Sequence, residues 1–339
     1  MQTQSLGKPG PLPKGMLLLL LILGGALLVA SQAGALGMGP WQALRGQMSA
    51  YDWQLWSAIR LPRLLLALLV GASLAIAGAA MQGMFRNPLA DPGLLGVSSG
   101  AGLAVALWIL LPFHLLLADH WNWAGQMLAA CLGGWLACWL VFNLGKGRQT
   151  SMLWLLLAGL AINTLAGAFS GLLSYLADDQ QLRQMSLWGM GGLGYVQTRE
   201  LLFGALLMLP GLLLLLHVRK DLDVLQLGDV SAASTGLDAD LLKRKVVLGT
   251  ALAVGGSVAL AGIIGFLGLM IPHLLRMIFG PGHRFLLPAS ALGGASLLLI
   301  ADALARTLAA PAEIPVGLLT SLIGGPYFLW MLSRGRKKE

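Results

Sequence analysis

Runs of 16 to 25 apolar residues, separated by short polar or charged intervals, constrain this chain more than any other feature. A bilayer's hydrocarbon core is about 30 Å thick and takes about 20 helical residues to cross. Backbone groups find no water there, so a spanning segment is either a helix or a strand of a closed barrel. Barrel strands alternate apolar and polar residues, and these runs do not. Only 11% of the residues are charged, against about 25% in soluble domains. The expectation is an all-α polytopic membrane protein, with residues 1–339 forming one transmembrane domain.

Ten helices are predicted, at 16–36, 61–84, 93–113, 122–143, 151–176, 199–217, 245–263, 265–280, 286–308 and 314–333. The first has a competing reading. Lys8 and Lys14, the run 16–30 and the small residues "AGA" at 33–35 also fit a cleaved secretory signal. Ten helices keep the two basic termini on one side, which favours the helix. Basic residues in short loops mark the cytoplasmic face. Sixteen of the 22 Lys and Arg fall on one side, Lys14, Arg86, Arg219, Lys243 and Arg276 among them. Six fall on the other: Arg45, Arg60, Arg63, Arg183, Arg199 and Arg306. Both termini are therefore expected in the cytoplasm. The net charge of +8 is spread over inner-face loops, so it reads as topology and not as nucleic-acid binding.

"VGASLAIAG" at 70–78 matches "VGGSVALAG" at 254–262 in six of nine positions, offset by 184 residues, and Pro88 and Pro272 share that offset. Five helices lie between the copies, so they run in opposite directions. Inverted repeats of this kind recur in transporters, here as helices 2–5 and 7–10. Small residues four apart, such as Gly71 with Ala75 and Gly255 with Ala259, suit close helix packing.

Catalysis is not indicated. No Gly-x-x-x-x-Gly-Lys-Ser/Thr phosphate loop occurs. The histidines, His114, His120, His217, His273 and His283, are dispersed. Cys131 and Cys138 lie about 10 Å apart along a helix, too far for a mutual disulfide. Asp302 and Arg306 are four apart and suit a helical ion pair. Acidic residues inside the apolar runs are scarce, which argues against an ion-coupled secondary transporter. The absence of a reactive constellation argues against a membrane enzyme or scaffold. Two stretches interrupt the apolar pattern. "FRNPLADPGLLG" at 85–96 breaks the helix pattern at Pro88 and Pro92. The interval 217–245 is amphipathic, and Gly228 and Gly236 bracket a short helical piece suited to docking a soluble partner.

"IRLPRLLLALLVGASLAIAGAAMQGMFRNPLADPGLLGVSSGAG" (59–102) resembles the permease subunits of bacterial ABC importers for iron complexes and vitamin B12. So do "IGFLGLMIPHLLR" (264–276), "HRFLLPASALGGASLLLIADALAR" (283–306) and "EIPVGLLTSLIGGPYFLW" (313–330). The segment 151–196 and "ARTLAAPAEIP" are similar to haem permeases. The resemblance implies a homodimer of ten-helix subunits like the vitamin B12 importer permease. Two ATPase subunits, which use ATP and Mg, would sit inside, and a periplasmic binding protein outside. By motif, Arg60, Arg63 and Arg306 would dock the binding protein as exposed arginines, and Asn87 and Leu89 would form the cytoplasmic gate. Thr150 and Ser151 are candidates for a second gate contribution, two residues upstream of the family position. Leu227, Gly228, Ser231, Ala232, Gly236 and Leu237 match the coupling helices, with Thr235 where the family usually has Leu. The expected activity is haem import across the inner membrane by alternating access. A ferric siderophore or vitamin B12 is the alternative cargo.

Overall fold

A computed structural model describes residues 12–33, 39–111, 121–144, 152–194 and 196–335. Lys8, His114, His120, Thr150 and Ser151 lie outside the described residues. Among the described residues every regular element is helical. In chain order they are α1 Leu12–Gln32, α2 Pro40–Leu44, α3 Ala50–Leu55, a π turn Trp56–Arg60, α4 Leu61–Phe85 and a 3-10 turn Pro92–Leu95. Then come α5 Val97–Leu110, α6 Asn122–Leu144, α7 Met152–Leu176, α8 Asp179–Gly189, α9 Thr198–His217, α10 Arg219–Leu225 and α11 Asp229–Ser234. The chain closes with α12 Ala239–Ala261, α13 Leu267–Phe279, α14 His283–Leu308 and α15 Val316–Gly335. Among the described residues seven helical stretches are long and apolar enough to cross a membrane. The shorter apolar helices α5, α13 and α15 bring these to the ten expected.

Sequence explains where the elements start and stop. Polar caps open the short ones: Ser49 and Asp52 form a capping box on α3, and Asp178 and Gln181 form one on α8. The Asp238 carboxylate accepts from the N–H groups of Asp240 and Leu241 at the head of α12. The second predicted helix extends further back than residue 61, because α3, the π turn and α4 form one continuous stretch from Ala50 to Phe85. Pro62 offers no N–H, and the Leu61 N–H reaches back to the Trp56 carbonyl as the turn widens. The third predicted helix divides at Gly96, whose φ of 76° separates the 3-10 turn from α5. The break between α12 and α13 is sharp, with Gly262 at φ 67° and Phe266 at φ 63°.

α4 is the axis of the molecule, buried along most of its length and packed on α9, α12, α13 and α14. The packing repeats itself under the internal duplication. α4 packs on α14 as its copy α12 packs on α6, and α5 packs on α6 as α13 packs on α14. Likewise α4 meets α13 as α12 meets α5, and α4 and α12 meet each other at the centre. Glycine allows the closest crossings. A Cβ on Gly71 would stand 2.8 Å from the Ala295 Cα, and one on Gly78 would overlap the Gly268 carbonyl. Two expectations are corrected here. A Cβ on Gly255 would meet no atom within 4 Å, and it is a Cβ on Gly256 that would crowd Met208. The shared prolines are not equivalent either. Pro88 sits in the turn after α4, while Pro272 lies inside α13, because only five residues connect α12 to α13.

The bundle has two chemically distinct ends. The C-termini of α1 and α14 meet the N-terminus of α4 at an arginine-rich end. At the other end α4 finishes against α10 and α14, and Gly15 near the start of α1 lies against Phe279 and Phe285.

Candidate functional site

At the arginine end, Arg60 closes the π turn and caps α4, Arg63 lies in the first turn of α4, and the last two turns of α14 carry Asp302 and Arg306. Arg63 Nε donates to Asp302 Oδ1 at 2.9 Å and Oδ2 at 3.1 Å, and Nη2 donates to Oδ1 at 2.8 Å. Its remaining edge turns to Glu313, where Nη1 donates to Oε1 at 3.0 Å and Oε2 at 2.9 Å. Arg306 Nε lies 3.0 Å from Asp302 Oδ2, which realises the i,i+4 pair expected from the sequence. Arg306 also donates from Nη1 to the Ala33 carbonyl (2.7 Å) and from Nη2 to the Ala30 carbonyl (2.9 Å). Arg60 Nη1 donates to the Ser31 carbonyl at 2.9 Å.

The arginines were expected to stand exposed, and in this respect the expectation is corrected. Arg60, Arg63 and Arg306 are each only 8% exposed. The reason is electrostatic. The last carbonyls of α1 have no helical partner and carry the negative end of its dipole, and two guanidinium groups satisfy them. Asp302, with a side chain only 1% exposed, lies between the other guanidinium edges. Three cations face two acids, leaving one net positive charge. Glu313 is the open part of the cluster, with its side chain 47% exposed. A cavity of about 940 Å³ lies beside it, lined by Arg63, Trp123, Gln126, Trp188, Glu200 and Glu313 among others.

At the opposite end the interval 217–245 is largely helical. α11 lies between Gly228 (φ 101°) and Gly236 (φ 84°), as the two glycines imply. The six residues matched to coupling helices divide by exposure. Leu227 is 67% exposed, and Ser231 and Gly236 are exposed. Gly228 and Leu237 are half-buried, and Ala232 is fully buried. Ala232 therefore seats α11 on the bundle, because its methyl lies on the face opposite Val230, which is 84% exposed.

Asn87 and Leu89 occupy the turn after α4, and this turn adjoins α11. Arg86 caps α4 in the left-handed region at φ 50°, and Asn87 Oδ1 accepts from the Leu89 N–H at 2.9 Å. Arg86 Nη2 donates to Asp229 Oδ1 at 2.9 Å, and Lys243 Nζ to Asp229 Oδ2 at 2.9 Å. Burial by itself would raise the Asp229 carboxyl, yet Lys243 bonded to it and Arg86 beside it hold it below its ordinary value. Gln226 Nε2 donates to the Gly83 carbonyl at 2.8 Å. Asp223 Oδ1 accepts the His283 N–H at 2.6 Å, with His283 Nδ1 2.9 Å away. Burial opposes ionisation of Asp223, and these His283 contacts hold its carboxyl low.

Sequence reasoning did not find the Arg63–Asp302 bond, the Glu313 contact or the Arg86–Asp229–Lys243 cluster. The first joins residues 239 apart, where no periodicity connects them. Charged residues inside apolar runs were the available signal, and only the i,i+4 pair could be read from it.

Residues 16–334 match the FecCD transport family. The hemin transport system permease protein HmuU of Yersinia pestis is 49% identical over 327 residues, covering 96% of each chain. The vitamin B12 import system permease protein BtuC of Serratia proteamaculans is 42% identical over 319 residues, covering 94% of this chain and 92% of its own. The chain is a member of the FecCD transport family. A solved inward-facing ABC transporter, described as of the metal-chelate type, superposes on this FecCD chain with a TM-score of 0.85. The two are 33% identical over 95% of this chain and 99% of the other. This FecCD protein is thus a multi-pass permease of the ABC importer type.

Proposed function

We propose that this permease carries haem from a periplasmic binding protein to the cytoplasm of a bacterial cell, as a homodimer in the inner membrane. The observation that carries the reading is the 49% identity, end to end, with the hemin permease. Vitamin B12 is the second reading, supported by the 42% identity with the vitamin B12 permease; a ferric siderophore is a third cargo of the same class.

In this reading both termini and the 217–245 face are cytoplasmic, and two ATPase subunits that use ATP and Mg seat on Leu227, Gly228, Ser231, Gly236 and Leu237 around Val230. Ala232 holds that surface in place from below. Asn87 and Leu89 narrow the cytoplasmic mouth. The binding protein rests on the arginine end, where Arg60, Arg63 and Arg306 form a buried cationic floor and Glu313 the exposed rim. Complementary charge orients such encounters, and the net positive charge of the floor suits a partner that presents carboxylates.

The test is uptake into proteoliposomes holding the permease, its ATPase and its binding protein, with ATP inside or outside. Haem accumulation that needs ATP and the binding protein supports the reading. Accumulation of cobalamin but not haem overturns the cargo, and uptake driven by a proton gradient without ATPase overturns the mechanism.

A further inference from the structure

The polar contacts at the loop end single out one residue. α11 carries the outward Val230, with Leu227 just before it, yet its own packing is on α10 and α12. The turn at 87–89 belongs to α4, on the other side of a helix terminus. Two charged groups bridge the gap. Asp229, the first residue of α11, uses one oxygen for Lys243 on α12 and the other for Arg86 on α4. Arg86 is one of only two non-glycine residues at positive φ among the described residues. That conformation is costly for a residue with a Cβ, and it aims the chain from α4 directly into Asn87. Lys243, with a side chain 5% exposed, anchors one oxygen of Asp229 to α12, while the Arg86 and Asp229 side chains that meet at the other oxygen are 37% and 43% exposed.

We infer that Asp229 is a positioning residue for transport, a strut that passes displacement of α11 through Arg86 to the Asn87–Leu89 turn. The inference rests on the functional reading above, in which α11 faces the ATPase and the turn narrows the pathway. Rigid-body movement of α11 would pull a charge-assisted hydrogen bond anchored one residue before Asn87. Gln226, bonded to the Gly83 carbonyl, gives the same helix end a second hold but no direct one on the turn.

Two measurements test the strut. The first is the number of substrate molecules transported per ATP hydrolysed by the full complex in proteoliposomes. Arg86→Ala and Asp229→Asn should each lower that ratio roughly 1.5- to 5-fold, the scale of one solvent-accessible ion pair. The double variant should be no worse than either single one, and Arg86→Lys should recover most of the ratio. Ratios at the wild-type level, or losses that multiply in the double variant, overturn the strut. The second is hydrogen–deuterium exchange on the permease homodimer alone, which needs no transport. Asp229→Asn should speed exchange at residues 86–91 and leave α14 unchanged. Unchanged exchange at 86–91 overturns the strut even if uptake works. Faster exchange there in Asp229→Asn, together with no ATP-driven uptake by the wild-type complex, overturns the functional reading and leaves the mechanical link standing.

Discussion

Replacing Glu313 with glutamine should tighten binding-protein docking. Substituting the arginines themselves would be a poor test, because Arg60 and Arg306 hold the carbonyls that end α1 and Arg63 joins α4 to α14. Glu313 is the one member of the cluster that an incoming carboxylate can displace. It takes the outer edge of Arg63 through two bonds of 2.9 and 3.0 Å. Its side chain is 47% exposed, so solvent screens the pair. An ion pair of that exposure contributes about 0.2–1 kcal/mol, which corresponds to about 1.5- to 5-fold in affinity. Glutamine keeps the shape and an acceptor oxygen but removes the competing charge. The dissociation constant for the binding protein should fall by that factor and respond more steeply to salt, with the permease melting temperature unchanged. Asp302→Asn is the contrasting variant. Its carboxylate is buried between two guanidinium groups, and loss of one partner from a buried pair costs about 3–5 kcal/mol, so the melting temperature should drop. The assay is interferometry of the binding protein over permease in nanodiscs, at two ionic strengths. Equal or weaker binding by the Glu313→Gln protein, at an unchanged melting temperature, would refute competition for Arg63 and with it the docking role of that arginine.

Other variants separate further parts of the structure. Gly78→Ala should destabilise the bundle by about 1–3 kcal/mol, because the new methyl meets the Gly268 backbone carbonyl, while Gly255→Ala, facing nothing within 4 Å, should be neutral or stabilising; thermal unfolding in detergent distinguishes the two. Leu227→Asp with Val230→Asp should abolish ATPase co-purification while leaving the permease dimer intact, since both side chains point outward; retention of the ATPase on the affinity column would show that α11 is not its seat. Asp223 and Asp229 carry carboxyls held below the ordinary 3.8. The stability they contribute is fully present above that value and is lost only as pH falls through the lower folded-state value. Protease resistance of the 217–245 segment in inside-out vesicles should therefore be level from pH 7 to about pH 4.5 as far as these two acids are concerned, and Asp223→Asn should lower it throughout.

The helices were legible because membrane solvation makes local composition decisive. A long apolar run has one stable structure in a bilayer, and eight of the ten predicted spans match one helix within four residues at each end, while α12 starts six residues before the predicted 245. The remaining one, 93–113, broke at Gly96, where a φ of 76° ends the 3-10 turn. The small helices α8, α10 and α11 lie outside the apolar pattern, and only the glycines around α11 announced one of them. At the two ends of the bundle, motif placement grouped residues that the structure also brings together but misjudged their surroundings. Arg60, Arg63 and Arg306 are at one end as expected, yet buried, because apart from the i,i+4 pair of Asp302 with Arg306 the groups that neutralise them come from segments that no local pattern links. Gly255 shows the same limit from the packing side. Four-residue spacing marks a helix face where close approach is allowed, but whether a neighbour arrives there depends on the whole bundle.

The 239 residues between Arg63 and Asp302 also have a meaning in time. A ribosome adds roughly 5–20 residues per second, so Arg63 enters the membrane on the order of tens of seconds before its acid is made. Arg60 has no such wait, since its carbonyl partner, Ser31, lies 29 residues before it and is already made. A nascent chain that stops short of α14 is therefore left with an uncompensated guanidinium at the head of its central helix. The two repeats are alike in sequence, yet the first relies on the second for the acid that neutralises Arg63, and the last quarter of synthesis closes a circuit that the first quarter opened.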